Sequence, residues 1–181
     1  DPGPRNHAPD ADRHLGSYIR AATITIAEAA SLSIGRIRAE VDHFSVAAGG
    51  QVDLFGLGWR TGAGRGGSPS WGGGGHGGWG GYSSAGGGRG APYGSHVYPV
   101  HLGSGGGGTS SDDHLCRGGG AFHVVAAGTV EINGTVNADG ALGDRHVGRY
   151  SWVRGVVGAS CYCTGKMVRG RESVATYHSA A

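Results

Sequence analysis

The chain has 181 residues, of which 41 are glycine, 15% carry a strong charge, and the net charge is +2. Glycine is therefore about three times as frequent as its usual share of roughly 7%, but no collagen-like Gly-x-y period accompanies it, which excludes a triple helix. No run of about 18 apolar residues predicts a membrane-spanning helix, and the small net charge does not require a nucleic-acid partner.

The glycines are concentrated in one segment, because residues 56–120 hold 27 of the 41. No apolar stretch typical of a signal peptide follows the opening Asp-Pro-Gly-Pro. We divide the chain into an N-terminal extension (1–21), two repeat units (22–55), a glycine-rich excursion (56–120), a third repeat unit (121–142) and a divergent basic C-terminal tail (143–181). In the tail, 153–157 is the one stretch that resembles a strand.

An apolar pattern repeats along the chain at a spacing of 20 residues, and returns 78 residues further on. Each unit has two short stretches in which apolar residues alternate, separated by a corner of small residues, so its apolar side chains share one face. Equal spacing of short strands favours a stacked solenoid over an antiparallel meander. The predicted inward columns are Ile24–Phe44–Phe122, Ile26–Val46–Val124, Leu32–Val52–Val130 and Ile34–Leu54–Ile132.

Several phrases carry a resemblance to a known class of proteins. They are Gly73-Gly74-Gly75-His76-Gly77-Gly78, Pro92-Tyr93-Gly94-Ser95, Leu102 through Gly108, and Val125 through Gly140. In these phrases the chain resembles the glycine-rich parallel β-helix repeat segments of large extracellular, adhesin-like proteins. Over about residues 22–140, the resemblance implies an all-β fold: a short right-handed parallel β-helix with rungs of about 20 residues and a long glycine-rich insertion. It implies no catalytic residues.

The glycine-rich excursion is either an ordered structure or a mobile linker. Aromatic residues are spaced through it and prolines fix the backbone locally, which favours order, although ordering so much glycine has a high entropic cost. Its large and basic side chains are the candidate interaction residues: Trp59, Trp71, Trp79, Tyr82, Tyr93, Arg65 and Arg89.

Catalytic and metal-binding chemistry find little support. Asp53 and Glu131 occupy the same position in two repeat units and form the one candidate carboxylate pair for a carbohydrate-active enzyme. The histidines and acidic residues match no standard zinc spacing. We therefore expect no catalytic residue, no metal site and no cofactor. Asn133-Gly134-Thr135 is an N-glycosylation sequon, relevant if the chain is secreted.

The sequence thus predicts a non-enzymatic structural or adhesive module, extracellular or at the cell surface, within a larger repeat protein or fibre. Its expected partners are further copies, associating through the rung ends, and a surface carbohydrate or protein. Two alternatives stay open. One is a glycine-rich RNA-binding protein, suggested by Arg65-Gly66-Gly67 and Arg117-Gly118-Gly119; the other is a carbohydrate-active β-helix enzyme.

Overall fold

The computed structural model describes residues 16–68, 72–82, 88–94, 100–107, 116–141 and 160–168. Within them, seven strands form two sheets in which every pair of neighbours is parallel. The larger sheet has the order β1 (Gly16–Ile26), β3 (Arg36–Val46), β5 (Ala121–Ile132) and β7 (Ser160–Val168). The smaller sheet has the order β2 (Ser31–Ser33), β4 (Gln51–Asp53) and β6 (Thr135–Asn137). No helix in these residues is long and apolar enough to cross a membrane.

Strand β3 shows how the sequence produces these sheets. Ile37, Ala39 and Val41 alternate with more exposed neighbours and are buried, as a strand with one covered face requires. The alternation breaks at Asp42 and His43, which are both exposed, and the pairing with β5 shifts by one residue at this point. After this β-bulge Phe44 and Val46 face inward again.

Two turns of the same kind connect the sheets. The amide of Ala30 donates to Ala27 O at 3.1 Å, and 20 residues later the amide of Gly50 donates to Ala47 O at 2.9 Å. The second turn includes Gly49 with a φ of 77°, a backbone conformation that glycine adopts without steric cost. The repeated turn keeps β1 to β4 at a constant spacing.

The apolar core lies on the covered face of the larger sheet and continues onto the smaller sheet. Phe44 and Phe122 meet there edge to face, with ring centroids 5.5 Å apart, an arrangement that aromatic pairs favour. The buried cluster consists of Ile37, Ala39, Val41, Phe44, Val46, Val52, Leu54, Phe122, Val124, Ala126, Val130 and Ala138. Ile24, Ile26, Leu32, Ile34 and Ile132 pack against it and are half-buried.

The predicted right-handed parallel β-helix is wrong. The described residues form two separate parallel sheets and no closed solenoid. A solenoid coil needs a further face to return the chain to the next strand. Here the chain leaves β4 after Asp53 and enters the glycine-rich segment, where the backbone bonds to other glycine segments instead of forming a third sheet.

The predicted columns are in register for the first two units and out of register for the third. Ile24 pairs with Phe44 and Leu32 with Val52. However, Phe44 then pairs with Val130, Val46 with Ile132, and Val52 with Val136. Phe122 pairs with Ile37, and Val124 with Ala39.

The cause is the small-residue stretch Ala126–Gly128, which the repeat reads as a corner. In the structure it lies inside β5, opposite the bulge in β3. A side chain on Gly128 would meet His43 Cε1 at 2.7 Å and Asp42 O at 2.8 Å, so the bulge needs a small residue there. The actual corner is Asn133–Gly134, whose amides both donate to Val46 O.

The C-terminal tail contributes a strand that the repeat does not predict. β7 pairs with β5, placing Cys161 beside Phe122 and Met167 beside Val130. The stretch 153–157, named above as strand-like, lies outside the described residues. The larger sheet therefore continues one strand beyond the third repeat unit.

The glycine-rich segment forms what we call the glycine layer: described residues 56–68, 72–82, 88–94, 100–107 and 116–120. It begins directly at the sheets, because the amide of Gly56 donates to Asp139 O at 2.9 Å and that of Gly120 to Leu54 O at 2.9 Å. Gly58 and Trp59 then bond to Gly118 and Gly103. The layer is thus hydrogen-bonded onto the edge of the core.

Candidate functional site

The glycine layer is built from backbone packed on backbone. Residues 72–75 are hydrogen-bonded to four other parts of the layer, at Gly66, Gly81, Gly90 and Gly107. A β-strand has at most two hydrogen-bonded neighbours in a sheet, so this segment is enclosed on more sides than a strand would be. Extended glycine chains have no internal hydrogen bonds, which leaves their amides and carbonyls for their neighbours.

Only glycine fits at most of these contacts. A Cβ atom added to Gly66, Gly74, Gly90 or Gly118 would lie closer than 3.0 Å to a backbone carbonyl of another segment. Real Cβ atoms essentially never approach so closely. The composition of this segment therefore follows from close packing between backbones, rather than from a need for flexibility.

Buried polar side chains fasten the segments to one another. Tyr93 donates its hydroxyl hydrogen to Leu102 O and accepts a hydrogen bond from Ser104 Oγ at 2.9 Å. Ser104 Oγ also accepts the amide hydrogen of Gly66 at 2.9 Å. His76 packs its ring against Tyr93 with centroids 4.8 Å apart, and its carbonyl accepts the Tyr93 amide at 2.7 Å.

His76 is buried in this polar cluster, being 8% exposed. Burial lowers the pKa of its imidazole below the ordinary value of 6.5, because removal from water disfavours the charged form. The nearby imidazole of His101 lowers the pKa further by charge repulsion, while a hydrogen bond involving its backbone opposes the shift. The layer is therefore built around a neutral histidine.

The exposed feature of the layer is a stack of three side chains, which we call the aromatic–arginine stack: Trp79, Tyr82 and Arg89. The Arg89 Cζ atom lies 4.3 Å from the centroid of the Trp79 ring and 4.4 Å from that of Tyr82. Both distances are well within the range of about 6 Å for cation–π attraction. Trp79 is nevertheless 56% exposed and Tyr82 63% exposed.

Backbone hydrogen bonds hold the stack together. The amide of Gly80 donates to Gly90 O at 3.0 Å, and this joins the segment of Trp79 and Tyr82 to that of Arg89. Gly73 bonds to both segments, accepting from Gly90 at 2.9 Å and donating to Gly81 O at 2.8 Å. The three side chains thus rise from two neighbouring segments that are fixed to a third.

The charge around the stack is entirely positive. Residues 56–111 contain three arginines, Arg60, Arg65 and Arg89, and no aspartate or glutamate. Arg65 is exposed and precedes Gly66, while Arg89 precedes Gly90, and these two glycines are close-packed neighbours. The two arginines therefore enter the layer at adjacent points.

The other candidate interaction residues have different positions. Trp59 is half-buried, and its indole covers Gly64, where a Cβ would lie 2.7 Å from Trp59 Cδ1. Tyr93 belongs to the buried polar cluster described above, and Trp71 lies outside the described residues. Trp59 and Tyr93 therefore support the layer from within.

The sequence named the members of the stack singly and did not group them. Trp79 and Tyr82 are three residues apart, and an extended chain with three residues per turn places such residues on one side. That spacing is the signal that could have joined the two rings. Arg89 could not have been added, because its position depends on the Gly80–Gly90 hydrogen bond.

The candidate carboxylate pair is not formed. Asp53 pairs with Asn137 in the smaller sheet, while Glu131 pairs with Ser45 in the larger one. Asp53 accepts the amide hydrogen of Phe55 at 3.1 Å, and Glu131 accepts one from Asn133 Nδ2 at 2.8 Å. Each carboxylate thus has a local structural role, and the two do not share a groove.

Asn133, the glycosylation candidate, lies at the corner between β5 and β6 and is half-buried. Its Nδ2 atom is the one that a glycan would occupy, and it donates to Glu131. Modification of the folded chain would have to break this hydrogen bond. Glycosylation at Asn133 stays a prediction.

One polar group on the sheet was not anticipated. On the outer face of β1 and β3, the Tyr18 hydroxyl donates to Glu40 Oε2 at 2.6 Å, and Arg38 lies 3.4 Å from Glu40 Oε1. The hydrogen bond from Tyr18 lowers the pKa of the Glu40 carboxyl. Exposed pairs of this kind contribute little to stability, so we assign this group to the surface of the sheet.

Comparison of the chain with family models, with curated proteins and with solved structures finds no match.

Proposed function

We propose that this chain is a non-enzymatic adhesive module, acting outside the cell or at its surface as part of a larger extracellular protein or fibre. The observation that carries the proposal is the aromatic–arginine stack, exposed on a layer whose backbone is fixed on several sides. Tryptophan, tyrosine and arginine are the residues that most often dominate binding surfaces. A rigid support lowers the entropy that such a surface loses on binding.

The two alternative functions receive less support. The candidate catalytic pair of a carbohydrate-active enzyme is separated between the two sheets. For RNA binding, the space between the Trp79 and Tyr82 rings, where a base would stack, holds the Arg89 guanidinium. Neither alternative has a described site comparable to the aromatic–arginine stack.

Association between copies is the second part of the proposal. Strand β1 is the outermost strand of the larger sheet in the described residues. Its inward side chains Ile19, Ile24 and Ile26 are half-buried, whereas their neighbours in β3 are fully buried. An open edge of this kind pairs readily with another strand, which would extend the sheet from one copy to the next.

The adhesive function is tested by retention of the chain on surfaces under flow. The purified chain is compared with a Trp79→Ala/Tyr82→Ala double variant on cell surfaces and on immobilised polysaccharides and extracellular-matrix proteins. We expect the double variant to lose retention. Phe55→Ala is the matched control, because Phe55 is an exposed aromatic residue outside the stack, at 47% exposure. Equal retention of all three proteins, or no retention of the unmodified chain on any surface, would overturn the proposal.

A further inference from the structure

We propose that the aromatic–arginine stack binds a carboxylate-bearing polysaccharide, that is, a polymer that contains uronate-type sugars. This inference rests on the adhesive function proposed above and names its ligand class. The argument uses the ring faces, the guanidinium and the absence of acidic residues in turn.

The exposed rings suit a sugar. Trp79 and Tyr82 keep more than half of their surface open although Arg89 lies between them. The apolar C–H faces of a pyranose can lie against such aromatic surface, which buries apolar area on both partners. Because the two rings are held by segments that are hydrogen-bonded together, they can engage one polymer without rearrangement.

The guanidinium suits a carboxylate. Contact with ring faces holds Arg89 in place through electrostatic attraction, and it leaves the planar fork of N–H donors able to bind two oxygens of one carboxylate. Binding an anion near the rings also strengthens the interaction because their faces already exclude water from part of the guanidinium. A neutral sugar would gain the ring contact but not this charge-assisted hydrogen bond.

The local charge supports the same ligand class. Since residues 56–111 include three arginines and no acidic residue, nothing acidic in that stretch of the sequence competes with an incoming carboxylate. The charge is too low for tight binding to a nucleic acid, whose affinity depends on many phosphate contacts. One cation beside two rings fits a polymer that has one carboxylate on each sugar.

Each contact of this kind is weak, so binding should depend on multivalency. A polymer presents the same sugar many times, and copies of the chain on one surface would each take one segment of it. We therefore expect retention on the immobilised polymer by chains displayed at high density, and little affinity for a single monosaccharide.

The test uses polygalacturonate as the probe, with its methyl ester and neutral dextran as matched polymers. We expect the chain, displayed on beads, to bind polygalacturonate and to lose that binding when the carboxylates are esterified. Arg89→Gln should weaken binding about tenfold, the loss expected from one charge-assisted hydrogen bond. Arg89→Lys, which keeps the charge but not the fork, should fall between the two.

Arg65→Gln is the matched control, because Arg65 is an exposed arginine that enters the layer beside Arg89. It removes the same charge without touching the stack, and we expect less than about a twofold loss, as for a screened surface charge. Thermal melts of all variants establish that they are folded.

Three results would overturn the inference. Equal binding to polygalacturonate, its ester and dextran would show that the rings bind sugars without regard to charge, and the adhesive function would still stand. Equal losses in Arg65→Gln and Arg89→Gln, or equally tight binding of single-stranded poly(U), would show general attraction of polyanions. No binding to any polysaccharide, together with Trp79-dependent retention on matrix protein, would assign the stack to a protein ligand instead.

Discussion

A glycine in this molecule is either enclosed by backbone or open to solvent, and the two kinds should respond oppositely to substitution. Gly74 is enclosed: a Cβ atom there would lie 2.6 Å from Ser104 O and 2.8 Å from Gly105 O. Gly77, three residues along the same segment, has nothing within 4 Å of the position of its Cβ. Their difference isolates packing from backbone entropy.

We expect Gly74→Ala to destabilise the fold by about 1–3 kcal/mol, the usual cost of overpacking. Gly77→Ala should be neutral or stabilising by about 0.4–1 kcal/mol, because alanine restricts the unfolded chain. Thermal unfolding followed by circular dichroism measures both. A glycine layer that was mobile in solution would instead tolerate the two substitutions equally well.

His76 makes the stability of the layer depend on pH. Burial lowers the pKa of its imidazole in the folded state below 6.5, so the unfolded chain binds more protons in acid. Stability is then fully present above about pH 6.5 and is lost as the pH falls from there through the lowered pKa. His123, which is 1% exposed and whose pKa is lowered by burial and by Arg38, acts in the same direction.

The melting temperature should therefore fall between pH 7 and pH 5, by about 2–4 °C for each kcal/mol lost in a chain of this size. His76→Gln should lower stability at pH 7 but reduce the dependence on pH. The exposed His43 supplies the control, since His43→Gln leaves both buried histidines in place and should retain the acid loss. An unchanged pH profile in His76→Gln would contradict the assignment.

At the scale of the strand, β5 offers two adjacent valines in opposite environments. Val124 is fully buried in the core, whereas Val125 is 37% exposed on the other face. Val124→Lys would bury an unpaired charge, which costs several kcal/mol, and we expect it to abolish the cooperative melt. Val125→Lys lies beside Glu40 in the pairing register and should leave the melt within a few degrees of the unmodified chain. Similar melts for both would show that β5 does not face the core as described.

The same strand shows what the sequence can and cannot predict. The constant spacing of 20 residues places β1 beside β3 and β2 beside β4, because identical turns give identical registers. The third unit fails because Ala126–Gly128 meets the bulge at Asp42 and His43, a contact between strands about 85 residues apart that no local pattern encodes. β7 has a similar explanation, since its pairing with β5 is long-range and its Ser-Cys-Tyr-Cys-Thr start is only weakly apolar.

In the glycine layer, composition predicts close packing but not which segments are neighbours. Glycine has no side chain to distinguish one partner from another, so Gly73, Gly80 and Gly90 look alike in sequence although each has a specific hydrogen-bond partner. The candidate residues Trp79, Tyr82 and Arg89 could thus be named from residue type alone. Their assembly into one site depends on those backbone pairings.

For the whole molecule, the open edge at β1 leads to a prediction about assembly. Ile24 belongs to the inward face of this outermost strand and is only half-buried, so a further strand that paired with β1 would complete its burial. Pairing would also satisfy the edge amides and carbonyls that otherwise bond to water. We expect sedimentation velocity to show association that increases with concentration.

Ile24→Lys should return the chain to the monomer, since an inward-pointing charge at a sheet edge blocks the approach of another strand. Thr23→Lys is the matched control, because Thr23 is the exposed neighbour on the same strand and adds the same charge to the opposite face. If both variants sediment like the unmodified chain, association does not use this edge. If both become monomeric while remaining folded, charge repulsion alone accounts for the effect, and the apolar face of β1 has no specific part in assembly.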